Sequence, residues 1–133
     1  GTVAANYLDD YEEGTWTPTM HTSNNNLTAA VGIQFARYVK IGQSVFVSAY
    51  IVPSITAGSS GYAYLGSLPF AITSATGAVF PWYCVHGSAL SSSGGYLGGS
   101  GRMIAIATNS TAGINWNAGT QYLMFNCTYM TDA

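Results

Sequence analysis

Four of the five acidic residues in this sequence of 133 residues lie within five positions, as Asp9, Asp10, Glu12 and Glu13. Two carboxyl groups about 5–9.5 Å apart can cleave a glycosidic bond, and clustered carboxylates can bind Ca²⁺. The spacing does not fit an EF-hand loop, which needs glycine at its sixth position and glutamate at its twelfth. We favour a structural interpretation, in which these carboxylates accept backbone hydrogen bonds or pair with basic side chains.

Other residues that could catalyse a reaction or bind a metal are sparse. No serine lies in a G-x-S-x-G motif, and nothing assigns either histidine, His21 or His86, to a catalytic triad. No pair of histidines or cysteines has the spacing of a metal site, and no phosphate-binding glycine motif precedes a helical pattern. The sequence therefore predicts no catalytic residue, no metal and no cofactor.

Aromatic residues are abundant, with three Trp, ten Tyr and five Phe. Sugar rings combine apolar C–H faces with hydroxyl edges, so an aromatic side chain beside an amide or hydroxyl group suits them. We predict a ligand-binding site in and beside the glycine-rich loop 87–101. Its candidate residues are Tyr96, Trp116, Trp82, Tyr83, His86, Asn115 and Asn117, with Gln121 nearby. The alternative for each aromatic side chain is a place in the core or in a subunit interface.

Charge is scarce in this chain. Only 6% of the residues are charged, against about 25% in a typical soluble domain, whereas 48% are hydrophobic. The many aromatics exclude a disordered chain, and no apolar run reaches the ~18 residues of a membrane span. Interface cores are poor in charge and rich in aromatics, so we expect part of the surface to be buried against sister chains. The net charge of −2, with only Arg37, Lys40 and Arg102 as basic side chains, argues against nucleic acid as a partner.

The hydrophobic pattern predicts strands and no helix. About eight short strands separated by turn residues indicate an all-β fold, a single antiparallel β-sandwich that is jelly-roll-like. The first predicted strand, 15–20, contains Pro18 and should therefore lie at an edge or be bulged. Segments 21–32 and 53–61 are predicted to be loops. Cys84 and Cys127 lie in apolar, strand-like runs, where free thiols are the commoner state.

The clearest hairpin spans 35–52, with Gly42-Gln43 as a type II′ turn. Its second strand alternates, so the odd-numbered residues 45–51 should face the core. The even-numbered residues 46–52 are also largely apolar, which makes their side a candidate subunit interface. In the last strand, 122–130, the pattern predicts that Leu123, Phe125 and Cys127 are buried on one face.

Four segments together resemble a family of C-terminal domains of bacteriophage tail fibre and tailspike proteins. The most specific is LDDYEEGTWTPT at 8–19. RYVKIGQSVFVSAYI at 37–51 is similar to the family's hairpin, and LGSLPF at 65–70 to its G-L-P-F element, with Ser67 where glycine is usual. FNCTYMTD at 125–132 resembles its closing strand. The match covers nearly the whole chain in the expected order.

The resemblance implies a β-sandwich head, residues 14–133, at the distal end of a homotrimeric fibre, preceded by an arm or junction, residues 1–13. It implies host recognition outside the cell, at the tip of the virion's tail fibre, and supplies no catalytic residues. We therefore expect a receptor-binding domain that attaches the phage to bacterial surface polysaccharide, either lipopolysaccharide or capsule, without membrane insertion. The alternatives are a trimerisation and folding cap that binds no receptor and, less favoured, a glycan-cleaving enzyme.

Overall fold

The computed structural model describes residues 10–57, 62–73, 78–85, 94–98, 101–106 and 118–133. These ranges contain ten strands and no helix, which confirms the predicted all-β class with two strands more than expected. The strands are β1 (Tyr11–Thr15), β2 (Thr19–Thr22), β3 (Thr28–Ile41), β4 (Ser44–Ala57), β5 (Ala63–Gly66), β6 (Val79–Val85), β7 (Gly94–Leu97), β8 (Met103–Ile106), β9 (Gly119–Thr120) and β10 (Tyr122–Met130).

One antiparallel sheet, curled on itself, forms both layers of the sandwich. The strand order is β1-β3-β4-β10-β6-β7-β8-β5-β2, with β9 pairing to β4. β6 belongs to both layers, because its C-terminal half pairs with β10 and its N-terminal half with β7. We call β1-β3-β4-β10-β6 the main sheet and β6-β7-β8-β5-β2 the small sheet. The two end strands, β1 and β2, are joined by residues 16–18 alone, so the open seam of the curled sheet lies between them.

The β3–β4 hairpin has the predicted turn. Ile41 pairs with Ser44, and Gly42 has a φ of 59°, as the first position of a type II′ turn requires. Two other segments bond to the backbone of this turn. The Gly42 N–H donates to the Asp10 carbonyl at 3.1 Å, and the Thr131 N–H donates to the Gln43 carbonyl at 2.9 Å. The predicted boundary after residue 13 falls inside β1, which pairs with β3 from Tyr11 to Thr15.

Four predicted element boundaries are wrong. The glycine-rich segment 87–101, expected to be a loop, contains β7, because β6 and β8 pair with it. Strand 15–20 is interrupted at residues 16–18, where Pro18 cannot donate a ladder hydrogen bond. β3 begins at Thr28 and not near Phe35, because Leu27, Ala29 and Val31 pack against the core from a segment that looks polar in sequence. β4 continues through Pro53 to Ala57, since β3 and β9 pair with it there, overriding the local preference for a loop.

The predicted strand parity is confirmed. Val45, Val47, Ala49 and Ile51 are at most 1% exposed, and Leu123, Phe125 and Cys127 at most 4%. These two rows belong to adjacent strands and form the centre of the core. Trp16, which follows β1, packs edge-on against Phe125 with ring centroids 6.2 Å apart, so the core extends to the seam.

The cysteine prediction is also confirmed for Cys127, which is a buried free thiol. Cys84 lies opposite Leu123 and Cys127 opposite Val47, so the two cysteines are about 13 Å apart along the β10 direction. Cα atoms more than about 7 Å apart cannot be joined by a disulfide without backbone movement. Burial raises the pKa of Cys127 to about 11, which keeps the thiol protonated and unreactive.

Candidate binding site at the seam

The residues predicted for ligand binding are not brought together in the described part of the chain. His86, Asn115, Trp116 and Asn117 lie outside the described residues. Trp82 is buried in the core beside Phe80, so its ring is closed to a ligand in this structure. Tyr83 and Tyr96 are about half exposed on the same side of the sheet. Tyr96 pairs with Val79, four residues from Tyr83 along β6, so the two tyrosines are about 13 Å apart.

A hollow of about 550 Å³, which we call the seam site, lies at the open seam of the curled sheet. It lies where β1 and the connection to β2 meet β3 and the segment after β5. Its lining residues are Glu12, Thr15, Trp16, Thr17, Thr19, Tyr38, Ser67, Pro69 and Phe70.

Tyr38 forms one wall of the seam site because Gly14 leaves room for it. Tyr38 lies opposite Gly14 in the β1–β3 pairing, and a Cβ added at Gly14 would lie 2.9 Å from the Tyr38 Oη. The Tyr38 hydroxyl donates to Glu12 Oε1 at 2.8 Å, and this hydrogen bond raises the pKa of Tyr38. Its ring meets Phe70 edge-on at 5.3 Å. One side chain thus presents an aromatic edge and a hydroxyl held by a carboxylate.

Thr19 and Ser67 form the opposite wall. Thr19 Oγ1 lies 2.9 Å from Ser67 Oγ and 2.7 Å from His21 Nε2. Ser67 has a φ of 63°, in the left-handed region that costs a non-glycine residue about 1–2 kcal/mol. Ser67 occupies the position where the resembling family has glycine, and its backbone conformation explains why glycine fits there. Here the strained position instead adds a hydroxyl group to the site.

The Ser67–Phe70 segment is held against the core by Tyr129. The Tyr129 hydroxyl donates to the Phe70 carbonyl at 2.9 Å and accepts from the Phe70 N–H at 3.2 Å. Burial raises the pKa of Tyr129 to about 12, so the hydroxyl stays protonated and both bonds persist at ordinary pH. The last long strand therefore fixes the position of Phe70 in the seam site.

Trp16 lines the buried side of the site. Its backbone N–H donates to the Ala36 carbonyl at 3.1 Å, while its indole Nε1 is buried and has no hydrogen-bond partner among the described residues. The indole ring is 7% exposed, so it supports the site mainly through packing. The surface that a ligand meets is made of hydroxyl groups, one carboxylate and the rings of Tyr38 and Phe70.

The acidic cluster is distributed over two faces by strand alternation. Asp10 forms an ion pair with Lys40 at 3.0 Å, and Glu12 accepts the Tyr38 hydroxyl. Glu13 points to the opposite side, where it accepts the Tyr11 hydroxyl. Each described carboxylate of the cluster therefore has a structural partner. Asp10 pairs with a basic side chain as expected, whereas Glu12 and Glu13 accept tyrosine hydroxyls, which the interpretation did not foresee. The described ranges contain no group of three His, Cys, Asp or Glu side chains that could hold a metal ion.

A cationic stack extends the seam site over the small sheet. His21 stacks on Tyr64 with ring centroids 5.0 Å apart, and the Arg102 guanidinium lies 4.5 Å from the centre of the same ring. Arg102 Nη1 also donates to the Tyr62 hydroxyl at 3.0 Å. Burial and then the nearby Arg102 charge lower the pKa of His21. Since His21 also contacts Thr19, this stack is continuous with the Thr19–Ser67 wall.

Sequence reasoning missed the seam site because its walls come from segments about 50 residues apart. A signal was nevertheless present: the two walls come largely from LDDYEEGTWTPT and LGSLPF, two of the segments on which the resemblance depends. The hydroxyls of Thr17 and Thr19 in the first of these segments were a second signal.

No family model, curated protein or solved structure matches this chain. No helix in the described part of the chain is long and apolar enough to cross a membrane.

Proposed function

We propose that this chain is the distal head domain of a bacteriophage tail fibre and that its seam site binds a bacterial surface polysaccharide. The head would act outside the cell, at the fibre tip of the virion, as a homotrimer. The glycan would be lipopolysaccharide or capsule.

One observation carries the proposal: hydroxyl groups and aromatic rings converge in one open hollow. Thr17, Thr19, Ser67 and Tyr38 each offer a hydroxyl that can both donate and accept. A sugar presents many hydroxyls of the same dual character, and the Tyr38 and Phe70 rings can pack against its C–H face. Glu12 adds a charged acceptor, which forms stronger hydrogen bonds than a neutral one.

The chemistry of the seam site favours binding over cleavage. A glycosidase needs two carboxyl groups facing the same glycosidic bond, one of them free to act as an acid. Glu12 is the one carboxylate among the lining residues, and Asp10 is paired with Lys40. A single shallow site binds a sugar weakly, so several copies on one fibre would strengthen attachment through their combined contacts.

The test is binding of the purified chain, at its native oligomeric mass, to a panel of bacterial surface polysaccharides, with the glycans checked afterwards for cleavage. We expect saturable binding that leaves the glycan intact. Thr19→Val should weaken binding about tenfold, because it removes a hydroxyl and leaves the Ser67 hydroxyl without its partner. The matched control is Thr28→Val, an exposed threonine at the start of β3, which should leave binding unchanged.

Three results would contradict the proposal. Absence of binding across the panel by a folded oligomer would exclude a polysaccharide receptor. Equal loss of binding in both threonine variants would exclude the seam as the site. Glycan turnover that Glu12→Gln abolishes would assign an enzyme instead.

A further inference from the structure

The main sheet has a second face that the sandwich core does not use. We call it the outer face and define it as the side chains of β1, β3, β4, β10 and β6 that point away from the core. The register places large apolar side chains there, and eight of them are substantially exposed. They are Tyr11, Phe35, Ile41, Phe46, Val79, Tyr83, Met124 and Met130.

A continuous apolar row crosses four strands of the outer face. Phe35 pairs with Tyr50, Tyr50 with Met124, and Met124 with Tyr83. Directly paired side chains on one face of a sheet are in contact range, and the Phe35 and Tyr50 ring centroids are 6.5 Å apart. This row borders a shallow depression of 500 Å³, whose lining also includes Ser48, Pro81 and Asn126.

The exposed apolar surface of the outer face is extensive. The eight residues are each between 38% and 71% exposed, and together they expose roughly 800 Å². A stable protein–protein interface buries about 800 Å² on each partner. The outer face alone is therefore large enough for a stable interface.

The charges on the outer face suit contact between identical surfaces. Among the described residues of this face, Arg37 is the one cation and Glu13 the one anion, and both lie at its β1–β3 edge. A face with one charge of each sign can meet a copy of itself without net repulsion, and Arg37 of one copy can pair with Glu13 of another. One cation is too few for nucleic acid. Most residues that line the depression are apolar, so it suits contact with another copy better than a glycan.

We infer that the outer face is the surface on which copies of this chain associate in solution. The occupant is another copy of the same chain, and in the proposed homotrimer the three outer faces would turn towards the common axis. This inference does not depend on glycan binding at the seam, because the seam residues Glu12 and Tyr38 point to the other side of the same strands. Association would leave the seam site open on every copy.

The test is the mass of the purified chain by sedimentation over a range of concentrations, for the native sequence and two variants. The double variant Phe46→Glu, Tyr83→Glu places charges on the outer face and should shift a native multimer to monomer. The matched control is Ile33→Glu: Ile33 is 38% exposed, but it pairs with Ile51 and so lies on the core side of β3. This control should keep the native mass.

Two results would overturn the inference: a native chain that is monomeric at about 100 μM, or a multimer that survives the double substitution. A mass of three chains supports both this inference and the proposed homotrimer, whereas a mass of two supports the outer face as the interface and contradicts the homotrimer.

A cross-linking experiment tests the same surface without charged substitutions, so its result does not depend on whether the charged variant folds. Ser48→Cys places a thiol near the centre of the outer face and should form a disulfide between copies on mild oxidation, whereas Thr28→Cys, at the start of β3, should not. Equal cross-linking of both variants would overturn the inference. Thr19→Val should leave the mass unchanged, so failure of glycan binding and failure of association are separate outcomes.

Discussion

The seam site and the outer face are built from the same strands and have opposite chemistry. On β1 and β3, Glu12 and Tyr38 point to the seam, whereas Glu13 and Arg37 point to the outer face. The seam gathers hydroxyl groups around two aromatic rings, and the outer face gathers aromatic and methionine side chains with few polar groups. Strand alternation therefore lets the five residue pairs of the β1–β3 ladder contribute to two surfaces suited to two different partners.

The two surfaces also differ in how rigidly they are held. The seam has several side-chain hydrogen bonds, namely Tyr38–Glu12, Thr19–Ser67 and Tyr129–Phe70. The outer face has local contacts such as the Tyr11–Glu13 hydrogen bond and the Phe35–Tyr50 ring pair, and its surface is mainly apolar. A preorganised polar site suits a ligand that must be recognised by hydrogen bonds, whereas an apolar face gains most of its affinity from area removed from water.

Phe125→Ala should have the largest effect, because Phe125 packs against Trp16 at the seam and is 4% exposed. Truncation of a buried Phe costs about 3–5 kcal/mol of unfolding free energy. Urea denaturation at a concentration where the chain is monomeric measures this cost. The matched control is Met124→Ala, the neighbouring residue on the outer face, which should cost less than about 1 kcal/mol. Similar costs for both variants would mean that the outer face is packed even in the monomer.

Ser67→Gly should separate binding from stability. Glycine relieves the left-handed φ of 63°, but the unfolded chain gains freedom and the bond to Thr19 is lost. The net gain in unfolding free energy should be about 0.5 kcal/mol. Glycan binding should weaken about threefold to tenfold, because one hydroxyl of the seam site is removed. Binding as tight as that of the native chain would show that Ser67 plays no part in recognition, and a loss of stability would show that its left-handed backbone stores no strain.

His21 should make the smallest contribution, and only in acid. Its pKa in the folded protein is lowered by burial and by Arg102, below the usual 6.5. The unfolded chain therefore binds the proton more readily, and stability falls as the pH drops from above 6.5 through the folded pKa. Unfolding free energies measured between pH 5 and 8 should fall more steeply for the native chain than for His21→Gln. Identical pH profiles would show that protonation of His21 does not change the unfolding free energy.

Local pattern predicted the fold better than its boundaries. Alternation alone identified the buried rows of β4 and β10, and the Gly42-Gln43 turn fixed the hairpin register. It failed at Thr28 and at Pro53, where pairing with distant strands decides the conformation and local composition does not. Strand propensity depends on such context, so these errors fall where the partner strand is far away in the sequence.

The seam site was harder to predict than the outer face. The outer face follows from parity within strands, and the even-numbered residues 46–52 were already assigned to a subunit interface as a prediction. The seam needs the curl of the whole sheet to bring residues 12–19 next to 67–70. Tyr83 and Tyr96, predicted to contact a ligand, are exposed, whereas Trp82 takes the alternative place in the core that was left open for each aromatic side chain.

The turn at Gly42-Gln43, which bonds both Asp10 and Thr131, has a consequence for engineering. Because Asp10 bonds to Gly42 and Thr131 bonds to Gln43, Asp10 and Thr131 lie within about 15 Å of each other. A linker of five or six residues could join them, and new ends could then be opened in a distant connection to give a circular permutant. The same proximity would let the domain be inserted as a cassette into a surface loop of another protein, with the seam turned outward.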